Sequence, residues 1–223
     1  MRSLVALAAL QLLACYQQAF YIPPELAPAP RLPVKGLQGL NPGQHLRFGE
    51  YKTERRESRV QQAGIGAFAK LVSGEGIEPF GFRLKASARD PWRADCDPIT
   101  RHREGQPVSE EANHLRCTLV LETGDSSHTW RLIVRKGVNR GDLVGPEGRL
   151  EVVGTTRDGK RRAQSGDRAF GYHVLNGSQA VAAVELPDPA VLLHPELSSE
   201  RRDLLAATAA ALLLWDYLVH ASL

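Results

Sequence analysis

The segment 204-LLAATAAALLLWDYLVHASL-223 decides which fold this sequence predicts. From Leu204 to Trp215 the only polar residue is Thr208, and a helix that is apolar on all sides must be surrounded by lipid or by protein. The uninterrupted run has 12 residues. It would rise about 18 Å, well short of the hydrocarbon core of about 30 Å. Asp216 follows, and a carboxylate at membrane depth costs about 2.5–3.5 kcal/mol. The pattern therefore favours a helix buried in the protein over a membrane span or a helix that docks on a partner.

The chain before this helix carries the pattern of β-strands. Stretches that alternate, or that are rich in β-branched and aromatic residues, recur along it. The predicted strands lie at 45–52, 66–73, 79–86, 115–123, 128–136, 149–156, 168–175 and 180–186. In 130-WRLIVRK-136, Trp130, Leu132 and Val134 share one face, which predicts a strand with one side in a core.

Turn residues and a helix cap separate these elements. Asn176-Gly177 predicts a tight hairpin, because both residues tolerate a positive φ. Residues 87–114 are polar and predict a long loop. Ser198 or Ser199 is expected to cap the last helix, with Glu200 in its first turn.

A β-rich domain that ends in a wholly apolar helix can bury that helix in only a few ways. An open sheet covers one face of such a helix, whereas a closed antiparallel β-barrel covers every face. The hairpin region 171-GYHVLNGSQAVAAVEL-186 and the segment 203-DLLAATAAALLLWDYL-218 resemble the tubby-like superfamily, which includes phospholipid scramblases and LURP-one-related proteins. This resemblance implies a barrel around the C-terminal helix. The alternative is a β-sandwich or lipocalin-like barrel with the helix packed outside, which would require a polar helix face.

The N-terminal residues predict export and lipid attachment. Arg2 precedes the apolar stretch 4-LVALAALQLLA-14, which is typical of a signal peptide over residues 1–14. The following 12-LLAC-15 resembles the lipobox of bacterial lipoproteins, in which the cysteine, here Cys15, receives a diacylglyceryl group. Two acyl chains suffice for stable anchoring. The alternative is an ordinary signal peptide with an incidental cysteine.

Residues 15–44 are rich in proline, which predicts an extended spacer between the membrane and a single domain over 45–223. In some bacteria, an aspartate directly after the lipidated cysteine retains a lipoprotein in the inner membrane. This chain has Tyr16 at that position, so we expect it in the outer membrane rather than the inner one.

The other two cysteines, Cys96 and Cys117, are expected to form a disulfide in an oxidising compartment. The bridge would close a loop of about 20 residues, which would stabilise the fold by about 3 kcal/mol. Two free buried thiols are the alternative.

The charge of the chain and its distribution indicate which partners to expect. The formal net charge is +3, which predicts no nucleic-acid partner. Cations cluster near one predicted strand at Arg131, Arg135, Lys136 and Arg140, and these could contact anionic lipid headgroups. The alternative is an ordinary solvated outer face.

We find no hydrolase elbow, phosphate loop or metal-ligand spacing, so the sequence predicts neither catalytic residues nor a cofactor or metal. It indicates a non-catalytic binding or structural module, and alternatively a protein that handles lipid or small apolar ligands. The sequence does not identify a protein partner.

Overall fold

The computed structural model describes residues 20–37, 45–55, 79–86, 89–99, 114–122, 128–135, 139–155 and 169–221 of the 223-residue chain. These residues form twelve strands, a short 3-10 helix at Pro24–Leu26 and one α-helix, α1, at Ser199–Ala221. The strands are β1 Leu32–Pro33, β2 Arg47–Phe48, β3 Tyr51–Arg55, β4 Phe80–Lys85, β5 Trp92–Ile99, β6 His114–Leu121, β7 Thr129–Arg135, β8 Arg140–Gly145, β9 Gly148–Thr155, β10 Gly171–Asn176, β11 Gln179–Glu185 and β12 Ala190–Leu193. The predicted strand over 66–73 lies outside the described residues.

The strands form a single antiparallel sheet that curls into a nearly closed barrel. Strands β2 to β12 follow one another in chain order, and β1 pairs with β12. The two edges meet where Lys35 and Arg47 exchange backbone hydrogen bonds of 2.8 and 2.9 Å. The sequence-based prediction of an antiparallel barrel is thereby confirmed.

Helix α1 runs through the barrel interior. It contacts β5 and β6 on one side and β11 and β12 on the other. Every side chain from Asp203 to Leu213 is buried, so no face of this part of the helix meets solvent. The alternative of a sandwich or an external helix is therefore wrong. Among the described residues, no helix combines the length and apolarity that crossing a membrane requires.

The start of α1 agrees with the prediction from sequence, and the hairpin before it agrees in part. The Ser198 hydroxyl accepts a hydrogen bond from the Arg201 amide at 3.3 Å, which caps the helix. The hairpin is present, but Asn176 pairs with Gln179, so its turn residues are Gly177 and Ser178 rather than the predicted Asn176 and Gly177. Gly177 takes a positive φ of 62°, whereas Asn176 stays in the strand.

Strands β1, β5, β8 and β12 were missed by the sequence analysis. The predicted loop over 87–114 contains β5, in which Trp92, Ala94 and Cys96 point inward. Its outward positions carry Asp and Arg, and aspartate is rare in strands, which hid the alternation. Strand β8 contains Gly145, whose missing side chain leaves room for the Trp130 ring of β7.

Residues 20–37, which the sequence analysis assigns to a spacer, belong to the folded domain. We call residues 20–31 the strap. It lies on the outer surface of β10, β11 and β12, where Phe20, Leu26 and Ala29 are buried against Ala180, Ala183 and Leu192. The Phe20 ring fills the space beside Gly171. Arg31 fixes the end of the strap by bonding Glu185 at 2.8 Å. The domain therefore begins by residue 20 rather than at residue 45.

The predicted disulfide between Cys96 and Cys117 is present. The two residues are direct cross-strand partners on β5 and β6, with Cα atoms 4.0 Å apart. Both point into the core, where β5 and β6 contact α1.

Candidate functional site

The surface with the clearest capacity for binding is the outer face of β6, β7 and β8. It carries four outward-pointing cations, and we call it the arginine face. Its members are Arg116, Arg131, Arg135 and Arg140.

Strand register brings these residues together. Arg135 is the direct cross-strand partner of Arg140, and Arg116 is opposite Ile133, which lies between Arg131 and Arg135 on β7. Neighbouring strands are about 4.8 Å apart, so the guanidinium groups cover one continuous area. Three of the four predicted contact residues thus share a face, while Lys136 lies outside the described residues.

The arginine face is only partly neutralised. Arg140 pairs with Glu151 of β9 at 3.1 Å, and the neighbouring Arg149 pairs with Asp142 at 2.6 Å. Within the described ranges, Arg116, Arg131 and Arg135 have no ion-pair partner. They therefore remain available to anions from outside the protein.

Two exposed aliphatic side chains lie among these arginines. Ile133 is 40% exposed and Val144 is 45% exposed, although both are large apolar residues on strands. Guanidinium groups around exposed aliphatic carbons suit a surface that offers both negative charge and hydrocarbon.

Sequence reasoning missed Arg116. The signal was available, because 114-HLRCTLVL-121 alternates and places Arg116 on the face opposite Leu115 and Cys117. Only the pairing of β6 with β7, which sequence does not give, shows that Arg116 lies beside the β7 arginines.

A second polar cluster lies where α1 enters the barrel. The Asp203 carboxylate accepts a hydrogen bond from the Tyr51 hydroxyl at 2.9 Å and from Arg89 Nε at 2.6 Å. Arg89 also bonds Glu50 at 2.8 Å. Burial, and then the charge of Asp203, raises the pKa of Tyr51, and the bond to Asp203 raises the pKa of Arg89. All of these groups are engaged with one another, so the cluster fixes the helix against the β2–β3 hairpin.

A single buried histidine lies under the strap. His173 Nε2 is 3.3 Å from the Tyr21 carbonyl oxygen, and the Phe20 ring meets the imidazole edge-on at 5.4 Å. Burial lowers the pKa of His173, although the Tyr21 carbonyl and the Glu25 carboxylate oppose the shift. A change in the protonation state of His173 would therefore act on the contact between the strap and β10.

The described residues contain no group of three or more His, Cys, Asp or Glu side chains arranged to hold a metal ion. Cys15, the predicted lipidation site, lies outside the part of the chain that the structure describes. The chain matches no protein-family model, no curated protein and no solved structure. What it can do chemically therefore has to come from its own geometry.

Proposed function

We propose that this protein is a non-catalytic binding module of the bacterial cell envelope, anchored by lipid at Cys15, whose arginine face contacts anionic lipid headgroups. The observation that carries this proposal is the outward position of Arg116, Arg131 and Arg135, which have no ion-pair partner among the described residues. Each cation near an anionic membrane contributes about 1 kcal/mol of binding free energy.

The anchor is supported by the sequence alone. A signal peptide over 1–14 and the lipobox-like 12-LLAC-15 would deliver Cys15 to the machinery that attaches diacylglyceryl. Tyr16 supports the outer membrane as the destination. Electrospray mass measurement of the mature N-terminal peptide tests this part, and an unmodified Cys15 would refute it.

The second candidate is a protein that handles lipid or small apolar ligands. The nearly closed barrel around an apolar helix is loosely compatible with the resemblance to tubby-like proteins and scramblases. However, α1 occupies the barrel axis and buries its side chains from Asp203 to Leu213 against the strands. A ligand carried inside would have to displace the helix, so binding on the outer surface is the better proposal.

Vesicle binding tests the headgroup contact. The full chain is sedimented with vesicles of phosphatidylcholine, with and without phosphatidylglycerol. Removing two cations with Arg131→Gln and Arg135→Gln should weaken binding to the anionic vesicles by about 30-fold, which corresponds to about 2 kcal/mol. Increasing salt should weaken wild-type binding, because screening shortens the reach of the charges.

A control removes two cations elsewhere, one of which, Lys85, is paired with Glu54 at 2.8 Å. Lys52 and Lys85 are cross-strand partners on the outer faces of β3 and β4, on another side of the barrel. Lys52→Gln with Lys85→Gln should leave vesicle binding close to wild type. If both double variants lost vesicle binding equally, the effect would come from overall charge, and the arginine face would not be a specific binding site. Equal wild-type binding to neutral and anionic vesicles would refute the proposal.

A further inference from the structure

The strap shortens the connection between the proposed lipid anchor and the barrel. Phe20 is already buried on the outer surface of β10 and β11. Only four residues then separate it from Cys15. The five Cα–Cα steps from Cys15 to Phe20 span at most about 17 Å even when the chain is fully extended. This step rests on lipidation of Cys15, as proposed above, and it means that the barrel cannot move far from the bilayer.

The part of the strap nearest the anchor has an apolar outer surface. Tyr21 and Ile22 are each 37% exposed, although their neighbour Phe20 is buried. Tyrosine is enriched at membrane interfaces, where its apolar ring and polar hydroxyl both find suitable surroundings. An exposed Tyr-Ile pair within reach of an acyl anchor therefore fits the interfacial layer of a bilayer.

Strand register connects this edge to the arginine face. His173, which lies against Tyr21, is the cross-strand partner of Val153. Val153 pairs in turn with Arg140, and Arg140 pairs with Arg135. Three strand spacings of about 4.8 Å place Arg135 about 14 Å from His173 around the barrel. The apolar edge and the arginines of β7 and β8 thus lie along about a quarter of the barrel circumference.

We propose that this side of the barrel, from Tyr21 and Ile22 on the strap to the arginine face on β7 and β8, lies flat on the same bilayer that holds the anchor. The arginines meet anionic headgroups, and Ile22 and Val144 enter the interfacial layer. Strand β3 then faces away from the membrane, because it lies six strand positions from β9 in a sheet of twelve strands.

Tryptophan quenching tests this orientation. The full chain is coupled through the Cys15 thiol to maleimide-bearing lipid, in vesicles that contain phosphatidylglycerol and brominated phosphatidylcholine. Cys96 and Cys117 are bridged, so Cys15 is the one thiol of the three cysteines free to couple. Single variants Ile22→Trp and Val144→Trp report on the proposed contact side, and Lys52→Trp reports on the far side. The native Trp92, Trp130 and Trp215 are buried, so wild-type emission gives the background.

We expect the added emission of Ile22→Trp and Val144→Trp to be blue-shifted and quenched, while that of Lys52→Trp is neither. Unquenched emission at both contact positions would overturn the proposal, as would equal quenching at all three. Quenching at Ile22→Trp alone would refute the flat orientation, because only the anchored edge would then touch lipid. Since coupling attaches the chain whatever its affinity, these results are independent of whether Cys15 is acylated in cells and whether the uncoupled chain binds anionic vesicles.

Discussion

His173 lies on the outer face of β10, yet Phe20 and Tyr21 of the strap bury it. Burial lowers its pKa in the folded state below the usual value near 6.5, and the nearby Glu25 carboxylate reduces the shift. Because the pKa of His173 is lower in the folded state than in the unfolded state, the unfolded chain binds more protons than the native chain. Stability is therefore complete above about pH 6.5 and decreases as the pH falls from there towards the lowered pKa.

Replacing this side chain should remove that part of the acid sensitivity. His173→Gln keeps a hydrogen-bond donor near the Tyr21 carbonyl and cannot become charged. The free energy of unfolding, measured by urea titration at several pH values, should decrease less below neutral pH in this variant than in the wild type. His194→Gln, in the turn before α1, is the control for removing a histidine that the strap does not cover. Identical slopes for His173→Gln and wild type would contradict the prediction.

Single residues were predictable where local chemistry decides them. Cys96 and Cys117 follow from export and from cysteine number, and Arg131 and Arg135 follow from alternation along β7. Arg140 was grouped with them only because it follows β7 closely in the chain. Arg116 joins the same face only through the pairing of β6 with β7, which is a tertiary contact. The coupling of His173 to the strap was not predictable from sequence, because residues 20–29 are separated from β10 by more than a hundred positions.

Among the elements, α1 was the most predictable and the strap the least. An all-apolar helix specifies its surroundings, so the barrel follows from it. The prolines of the strap suggested a spacer, and its packing depends on strands at the other end of the chain. One signal was present: 180-AVAAVEL-186 and 190-AVLL-193 do not alternate, as expected for strands covered on both faces.

The alanines of α1 provide a test at the scale of the element. Ala206, Ala207, Ala210 and Ala211 are essentially inaccessible to solvent, which lets the strands approach the helix axis. Ala210→Leu adds volume without space to receive it, so it should lower the free energy of unfolding by about 1–3 kcal/mol. Leu213→Met conserves volume in the same helix and should cost less than about 1.5 kcal/mol. Equal effects of the two changes would show that the helix is loosely enclosed.

At the scale of the molecule, the strap, sheet and helix should unfold as one unit. Leu26 is completely buried on the outside of the sheet, whereas α1 is inside it. Truncation of a buried leucine costs about 2–5 kcal/mol. Leu26→Ala should therefore move the helix transition, measured by circular dichroism, and the transition of the interior tryptophans, measured by fluorescence, to the same lower urea concentration.

Ile22→Ala is the matched control. Its side chain is 37% exposed on the same strap, so the change should alter stability by no more than about 0.5 kcal/mol. If Leu26→Ala were equally mild, the strap would be a separate attachment. If the helix and tryptophan transitions separated, the barrel and its helix would not be one cooperative unit.

Helix α1 follows all twelve strands in the chain, although it forms the centre around which they close. A ribosome delivers the strands first, and they have no core to enclose until the helix emerges. Folding must then wait for the last part of the described chain, and β1 must wait until β12 emerges before it can pair. A polypeptide that stays open during synthesis is well suited to threading through a translocation channel before it folds, which agrees with the signal peptide that the sequence predicts over residues 1–14. The same delay leaves apolar strands uncovered until the helix is made, so we expect holdase chaperones to bind the nascent chain.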